Sequence, residues 1–203
     1  MIELQHNFQS KAHSLMGLFL KVNKMSKLMS NIEAESLKDV ERYEANLYAG
    51  DAFEFFVELF LALHPCDNRV GIYEYVPVQE FDNGVDGIGV NIQKQKSVVQ
   101  VKFRSNVLSQ LTATGDHLSN MFSDGMLAHN VVADNKNAHI YRHFVFTTAD
   151  GLHFYTDQEM FKNKVRCFGF QDFRNLLDDN KIFWDRCREI AREIDAKYKR
   201  HAF

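Results

Sequence analysis

Five polar side chains stand in segments that are otherwise apolar: Glu54, Glu58, Asp86, Gln100 and Lys102. Glu54 and Glu58 are four apart, so they share one face of a helix. The rest of that helix is almost wholly apolar, with Phe53, Phe55, Phe56, Val57, Leu59, Phe60, Leu61 and Leu63. A buried, unpaired carboxylate costs on the order of several kcal/mol. The pair therefore either meets an arginine such as Arg69 or Arg104, or faces a cavity that holds a cation. Asp86 is expected inside a strand, between Gly84 and Gly87. Asp82-Asn83-Gly84 is good turn chemistry by itself, but a turn does not account for Asp86. The flanking glycines would let a bulky group such as a phosphate backbone approach the main chain. In Val98-Val99-Gln100-Val101-Lys102-Phe103, alternation puts Val99, Val101 and Phe103 on one face and Gln100 with Lys102 on the other. An aspartate and an amide oxygen suit Mg²⁺, which takes oxygen ligands and keeps several waters. A lysine beside them can orient or deprotonate an attacking water and offset charge at a phosphate. The plain alternative is a solvated edge strand with Gln and Lys on its outer face.

The elements that must position these residues follow from periodicity. Residues 1 to about 45 read as a helical extension, with apolar residues from Leu15 to Met29 among lysines and serines. It packs on the core or another subunit, or lays Lys21, Lys24 and Lys27 on DNA. A buried helix is expected over 46–64. Strands are expected over 70–78, where Pro77 marks an edge or bulge, over 85–92 and over 97–103, the last two joined as a hairpin through 93–96. A helix broken near Gly115 is expected over 107–129, a strand over 139–147, and helices over 157–162, 171–177 and 183–200. Helix, three strands, helix, strand and helices make a mixed α/β arrangement, not a βαβ repeat. The resulting organisation is an N-terminal helical extension (1–45), a core (46–168) and C-terminal helices (169–203).

Bulk properties narrow the setting. The chain has 203 residues, 45% of them hydrophobic, enough for one sizeable core. Its net charge of -3 means that any nucleic-acid face must be a local basic patch. Cys66, Cys167 and Cys187 are odd in number and form no CxxC pair, so neither a disulfide framework nor a zinc knuckle is expected. The longest apolar stretch is broken by Glu54 and Glu58 and is too short to span a bilayer. A soluble, cytoplasmic protein with no membrane partner is expected.

Taken together, Gly50-Asp51-Ala52-Phe53-Glu54, Gly84-Val85-Asp86 and Val99-Gln100-Val101-Lys102 resemble the PD-(D/E)xK nucleases. The likeness is to the Mrr-type branch, with its GxxFE helix, GxD strand and QxK strand. It covers roughly residues 46 to 160, since Phe144-Val145-Phe146-Thr147-Thr148 resembles the strand and threonine pair that follow the family's central helix. The resemblance implies a restriction-endonuclease-like fold, a mixed β-sheet flanked by helices. It implies Mg²⁺-dependent hydrolysis of DNA phosphodiesters, with Mn²⁺ able to substitute, of restriction, homing or repair type. Glu54 would be the helix acid, Asp86 the central metal ligand, Gln100 a neutral ligand where most of the superfamily has an acid, and Lys102 the catalytic lysine. Glutamine there removes one negative charge and weakens metal binding, although the Mrr-type branch carries the same residue.

Arg104, Ser105, Asn106, Thr112 and Thr114 follow the QxK strand and have donors suited to DNA phosphates; a solvated turn is the equal alternative. His139 and His143 share a strand face without a third ligand, and Glu74 and Glu80 fit surface ion pairs as well as a site. One such site cuts one strand, so a homodimer or homotetramer is expected on DNA. Two rival readings are a non-catalytic nucleic-acid-binding protein that retains the nuclease fold, and a Holliday-junction resolvase.

Overall fold

The computed structural model describes residues 12–38, 42–63, 70–78, 84–113, 115–116, 118–121, 125–131, 141–154 and 165–201. The chain divides into two compact units, one of residues 1–65 with 172–203 and one of residues 66–171.

The first unit is helical. It contains α1 (Ala12–Phe19), α2 (Met25–Ser36), α3 (Arg42–Leu63), most of α4 (Phe170–Leu177) and α5 (Lys181–His201). The single expected N-terminal arm is thus two helices, broken at Leu20–Lys24. Phe53, Phe56 and Phe60 recur at three and four residues, so they form one ridge of α3. That ridge packs edge-on against Phe173 of α4, with ring centres 5.4 Å (Phe56) and 5.2 Å (Phe60) away, and Phe56 stacks on Trp184 of α5. Aromatic pairs at such separations add about 0.5–1.5 kcal/mol each beyond area burial. The Trp184 indole donates to the Leu177 carbonyl at 2.7 Å. Lys24 gives α2 no side-chain cap; instead the Asp178 carboxylate accepts from the Met25 amide at 2.8 Å.

The second unit is a five-stranded mixed sheet in the order β1 (Glu74–Pro77), β2 (Gly87–Val90), β3 (Lys96–Lys102), β4 (His143–Thr147), β5 (Val165–Phe168). The pairs β1–β2 and β2–β3 are antiparallel, while β3–β4 and β4–β5 are parallel. The chain is therefore α/β with a mixed sheet, as expected. Pro77 stands on the edge strand, where its missing N–H costs nothing. The β2–β3 hairpin closes through Asn91 and Gln95, with Lys94 at φ 60°.

Three expectations change. The run 165–168 is a strand that periodicity does not reveal. The helix expected over 107–129 forms only beyond its break at Gly115: the described residues of 107–116 are turns, whereas Leu118–Asn120 and Met126–Ala128 are α-helical and Met121 and Gly125 have the wider π turn. Before the break, Asp116 accepts from the Thr112 amide at 2.6 Å and Leu111 bridges to Leu152, so local side-chain bonding and a strand-like contact stand where the first turns of helix were expected. The plain alternative of a solvated face on β3 is also not met at Gln100, which is buried. Val98 and Val145 pack there in a closed apolar cluster with Leu111, Leu118, Met121 and Val131. The helix expected over 157–162 lies outside the described residues.

Candidate active site on strands β2 and β3

The register fixes which side chains share a face. Ile88 pairs with Val98 across the antiparallel β2–β3 ladder, which puts Asp86 opposite Gln100 one step beyond the last paired residue. Asp86 thus precedes β2 and does not lie inside it. The ladder nonetheless reaches Asp86: its N–H donates to the Val99 carbonyl at 2.9 Å and its carbonyl accepts from Val78 at 3.0 Å. Beyond this point the side chain takes over from the backbone. The Asp86 carboxylate Oδ2 accepts from the Val101 amide at 2.5 Å. The carboxylate is thereby held against β3 on the side of Gln100 and Lys102.

Gln100 is completely buried, 0% exposed. Neither its Oε1 nor its Nε2 has a hydrogen-bond partner among the described residues. Leaving an amide buried and unsatisfied costs about 1–3 kcal/mol. Lys102 is half-buried, and its ammonium has no hydrogen bond or ion pair among the described residues. A carboxylate, an unspent amide oxygen and an unspent ammonium therefore share one side of two adjacent strands.

Thr147 and Thr148 hold the segment that carries Lys102. The Thr147 hydroxyl donates to the Lys102 carbonyl at 2.8 Å. The Thr148 hydroxyl accepts from the Arg104 amide at 2.6 Å and donates to the Arg104 carbonyl at 2.7 Å. Both threonines are fully buried, so these bonds are shielded from competing water.

The glycines beside Asp86 do not open the backbone as the sequence suggests. A Cβ on Gly87 would overlap the Tyr75 ring, and one on Gly89 would come within 2.7 Å of Ser97 Oγ. Both glycines are filled by protein. Gly84 at φ 76° serves the turn and lies close to the backbone of Met121.

Glu54 is half-buried on α3 in the helical unit. Its neighbour Glu58 is 6% exposed, and burial pushes its carboxyl up to about 7. Asp86, Gln100 and Lys102 are brought together in the sheet unit. Of the residues expected on DNA phosphates, Arg104 is held in an ion pair with Asp116, whose Oδ2 also accepts from Thr112. Burial opposes ionisation of Asp116, yet the bonds from Thr112 and Arg104 outweigh it and hold the carboxyl below its usual range. Ser105 and Asn106 are exposed, with Asn106 Oδ1 accepting from the Leu108 amide at 3.0 Å, and Thr114 lies outside the described residues. Glu74 pairs with Lys94 at the surface. His143 is buried on β4, and His139, Glu80 and Cys66 lie outside the described residues.

By type, the oxygen donors are ones that a divalent cation could take. Asp86 and Gln100 offer a carboxylate and a buried amide oxygen, and Mg²⁺ is commonly held by one or two protein oxygens with water completing its shell. Among the described residues there is no group of three or more His, Cys, Asp or Glu placed to hold a metal.

The chain matches no family model, no curated protein and no solved structure. The site stands on its own geometry. No described helix is long and apolar enough to cross a membrane.

Proposed function

We propose that the protein is a metal-dependent DNA endonuclease of the restriction-endonuclease-like kind, hydrolysing phosphodiester bonds. The observation that carries this reading is Gln100: a fully buried amide opposite Asp86 and two residues from Lys102, with neither the amide nor the ammonium given a partner among the described residues. An apolar residue would fill that position at lower cost unless the amide oxygen had a use.

A Mg²⁺ or Mn²⁺ ion, when bound, would supply a Lewis acid at the phosphate. Asp86 and Gln100 would hold it, and the Val101 amide keeps the aspartate in place by occupying one carboxylate oxygen. Lys102 orients the water for attack on phosphorus and offsets charge on the phosphate oxygens. Thr147 and Thr148 fix the strand end from which it projects. Gln100 in place of an acid leaves the site one negative charge poorer, so metal affinity is lower than with a second carboxylate. Cutting both strands calls for two copies, and the active species is a homodimer or homotetramer. The sheet unit alone carries this reading; Glu54 is tested separately by Glu54→Gln.

The test is incubation with plasmid, linear duplex, single-stranded and four-way-junction DNA in Mg²⁺ or Mn²⁺ against EDTA. Metal-dependent cleavage, lost in Lys102→Ala with melting temperature and DNA binding retained, is the expected result. Cleavage confined to the junction makes the protein a resolvase. Binding without cleavage under every condition makes it a non-catalytic DNA-binding protein, and full activity of Lys102→Ala refutes the mechanism.

A further inference from the structure

Arg104, Arg174, Arg186 and Arg188 each hold a carboxylate. Arg166 does not. It projects from β5, the last strand of the sheet, and is half-buried without a hydrogen bond or ion pair among the described residues. What holds it is aromatic: its guanidinium carbon lies 5.5 Å from the centre of the Tyr141 ring and 5.0 Å from that of Phe168. Those rings are fixed in turn. Phe168 stacks on Phe146 at 5.2 Å, and Tyr141 meets Phe144 edge-on at 6.2 Å.

A guanidinium lying over rings engages its flat faces and leaves its N–H donors in the plane, where they form a rigid fork. Aromatic contact also removes most of the rotamer freedom that an arginine otherwise loses on binding. A half-buried cation held this way, with no carboxylate beside it among the described residues, is prepared for an anion that comes from outside. We infer that Arg166 is a receiving point for a phosphate group, and, resting on the nuclease reading, for a phosphodiester of bound DNA. Arg166 aligns with Phe144 and, through it, with Val99, so it lies on the sheet face opposite Gln100 and Lys102. One strand, β4, lies between it and β3, so two strand spacings, about 10 Å, separate them across the sheet. The phosphate it receives is therefore not the scissile one, and the contact anchors the duplex without taking part in hydrolysis.

The experiment compares wild type, Arg166→Ala and Arg166→Lys for binding of a labelled duplex in EDTA, over a range of salt, with melting temperature as the check on folding. The expected loss for Arg166→Ala is on the order of tenfold, with the slope of log affinity against log salt reduced by about one. Arg166→Lys keeps the charge without the planar fork and recovers only part of the affinity. Wild-type affinity in either folded variant overturns the inference while leaving the nuclease reading intact. If the wild type binds no DNA, the nuclease reading fails instead, and inorganic phosphate decides the matter. Its titration is followed at the Arg166 Nε–Hε resonance. A saturable shift supports an anion site, and an unmoved resonance overturns it.

Discussion

Replacing Gln100 by methionine separates stability from function. Methionine is unbranched, similar in length, and able to fill an irregular space. In the protein as it stands, both polar atoms of a fully buried amide lack partners among the described residues, at a cost of about 1–3 kcal/mol. Gln100→Met removes that cost while filling the same position opposite Val145, so the metal-free variant is expected to be more stable by about that amount. For a chain of this size each kcal/mol moves the melting point by roughly 2–4 °C, which gives a rise of several degrees in EDTA. Metal reverses the order. A ligand at a hundred times its dissociation constant stabilises the folded state by about 2.7 kcal/mol, and only the wild type has the amide oxygen to profit from it. Melting by circular dichroism with EDTA and with increasing Mn²⁺ gives both numbers, and a plasmid assay gives activity, expected to vanish in the variant. A variant less stable than wild type in EDTA, or one with the same Mn²⁺ response, would refute the reasoning.

Burial of Glu58 favours its neutral form, with the folded value about 7 against an ordinary 4.5. Its stabilising effect is complete below pH 4.5 and is lost as pH rises through 7; Glu58→Gln should therefore gain about 2–3 kcal/mol on wild type at pH 8 and little at pH 5, read by fluorescence of the single tryptophan, Trp184. Asp116 has the opposite sign: its carboxyl is held low, so the stability it confers is present at neutral pH and disappears as pH falls below the ordinary value of 3.8. Asp116→Asn should cost about 1–2 kcal/mol at pH 7 in urea unfolding, with the deficit vanishing in acid. Gly87→Ala drives a methyl into the Tyr75 ring and should cost about 1–3 kcal/mol, largely restored by adding Tyr75→Ala; an unaffected single variant contradicts the close packing.

Most of the scaffold around the site was legible because it obeys simple periods. The alternation of Ser97 to Phe103, the polar break at Gln93–Lys96 and the aromatic run of α3 each point to the element that forms. The fifth strand was not legible: Val165-Arg166-Cys167-Phe168 is four residues long and runs into α4 after one glycine. Its strand character comes from pairing with β4, a long-range contact that a local pattern does not carry. The first part of the 107–129 segment misleads for a related reason. Before residue 118, Asp116 bonds to Thr112 and Arg104 and leaves the chain folded on itself, while the helical spacing after Gly115 is met by the described helical residues. For the site, alternation put Gln100 and Lys102 on one face, yet it left the covering of that face by Leu118, Met121 and Val131 unseen. The capture of the Val101 amide by Asp86 was equally invisible, since it arises where the ladder ends.

The helical unit is built from both ends of the chain, with the sheet unit inserted between. During synthesis, α3 leaves the ribosome with the Phe53, Phe56 and Phe60 ridge uncovered, and the rings that close it, Phe173, Phe183 and Trp184, follow some 110 residues later. At ordinary elongation rates of about 5–20 residues per second, that wait lasts roughly 5 to 20 s. The sheet unit is complete in sequence before then and can fold first. The nascent chain thus passes through a stage with a finished sheet and a sticky, unfinished helical half, the stage at which a chaperone is most needed and a premature stop codon most damaging.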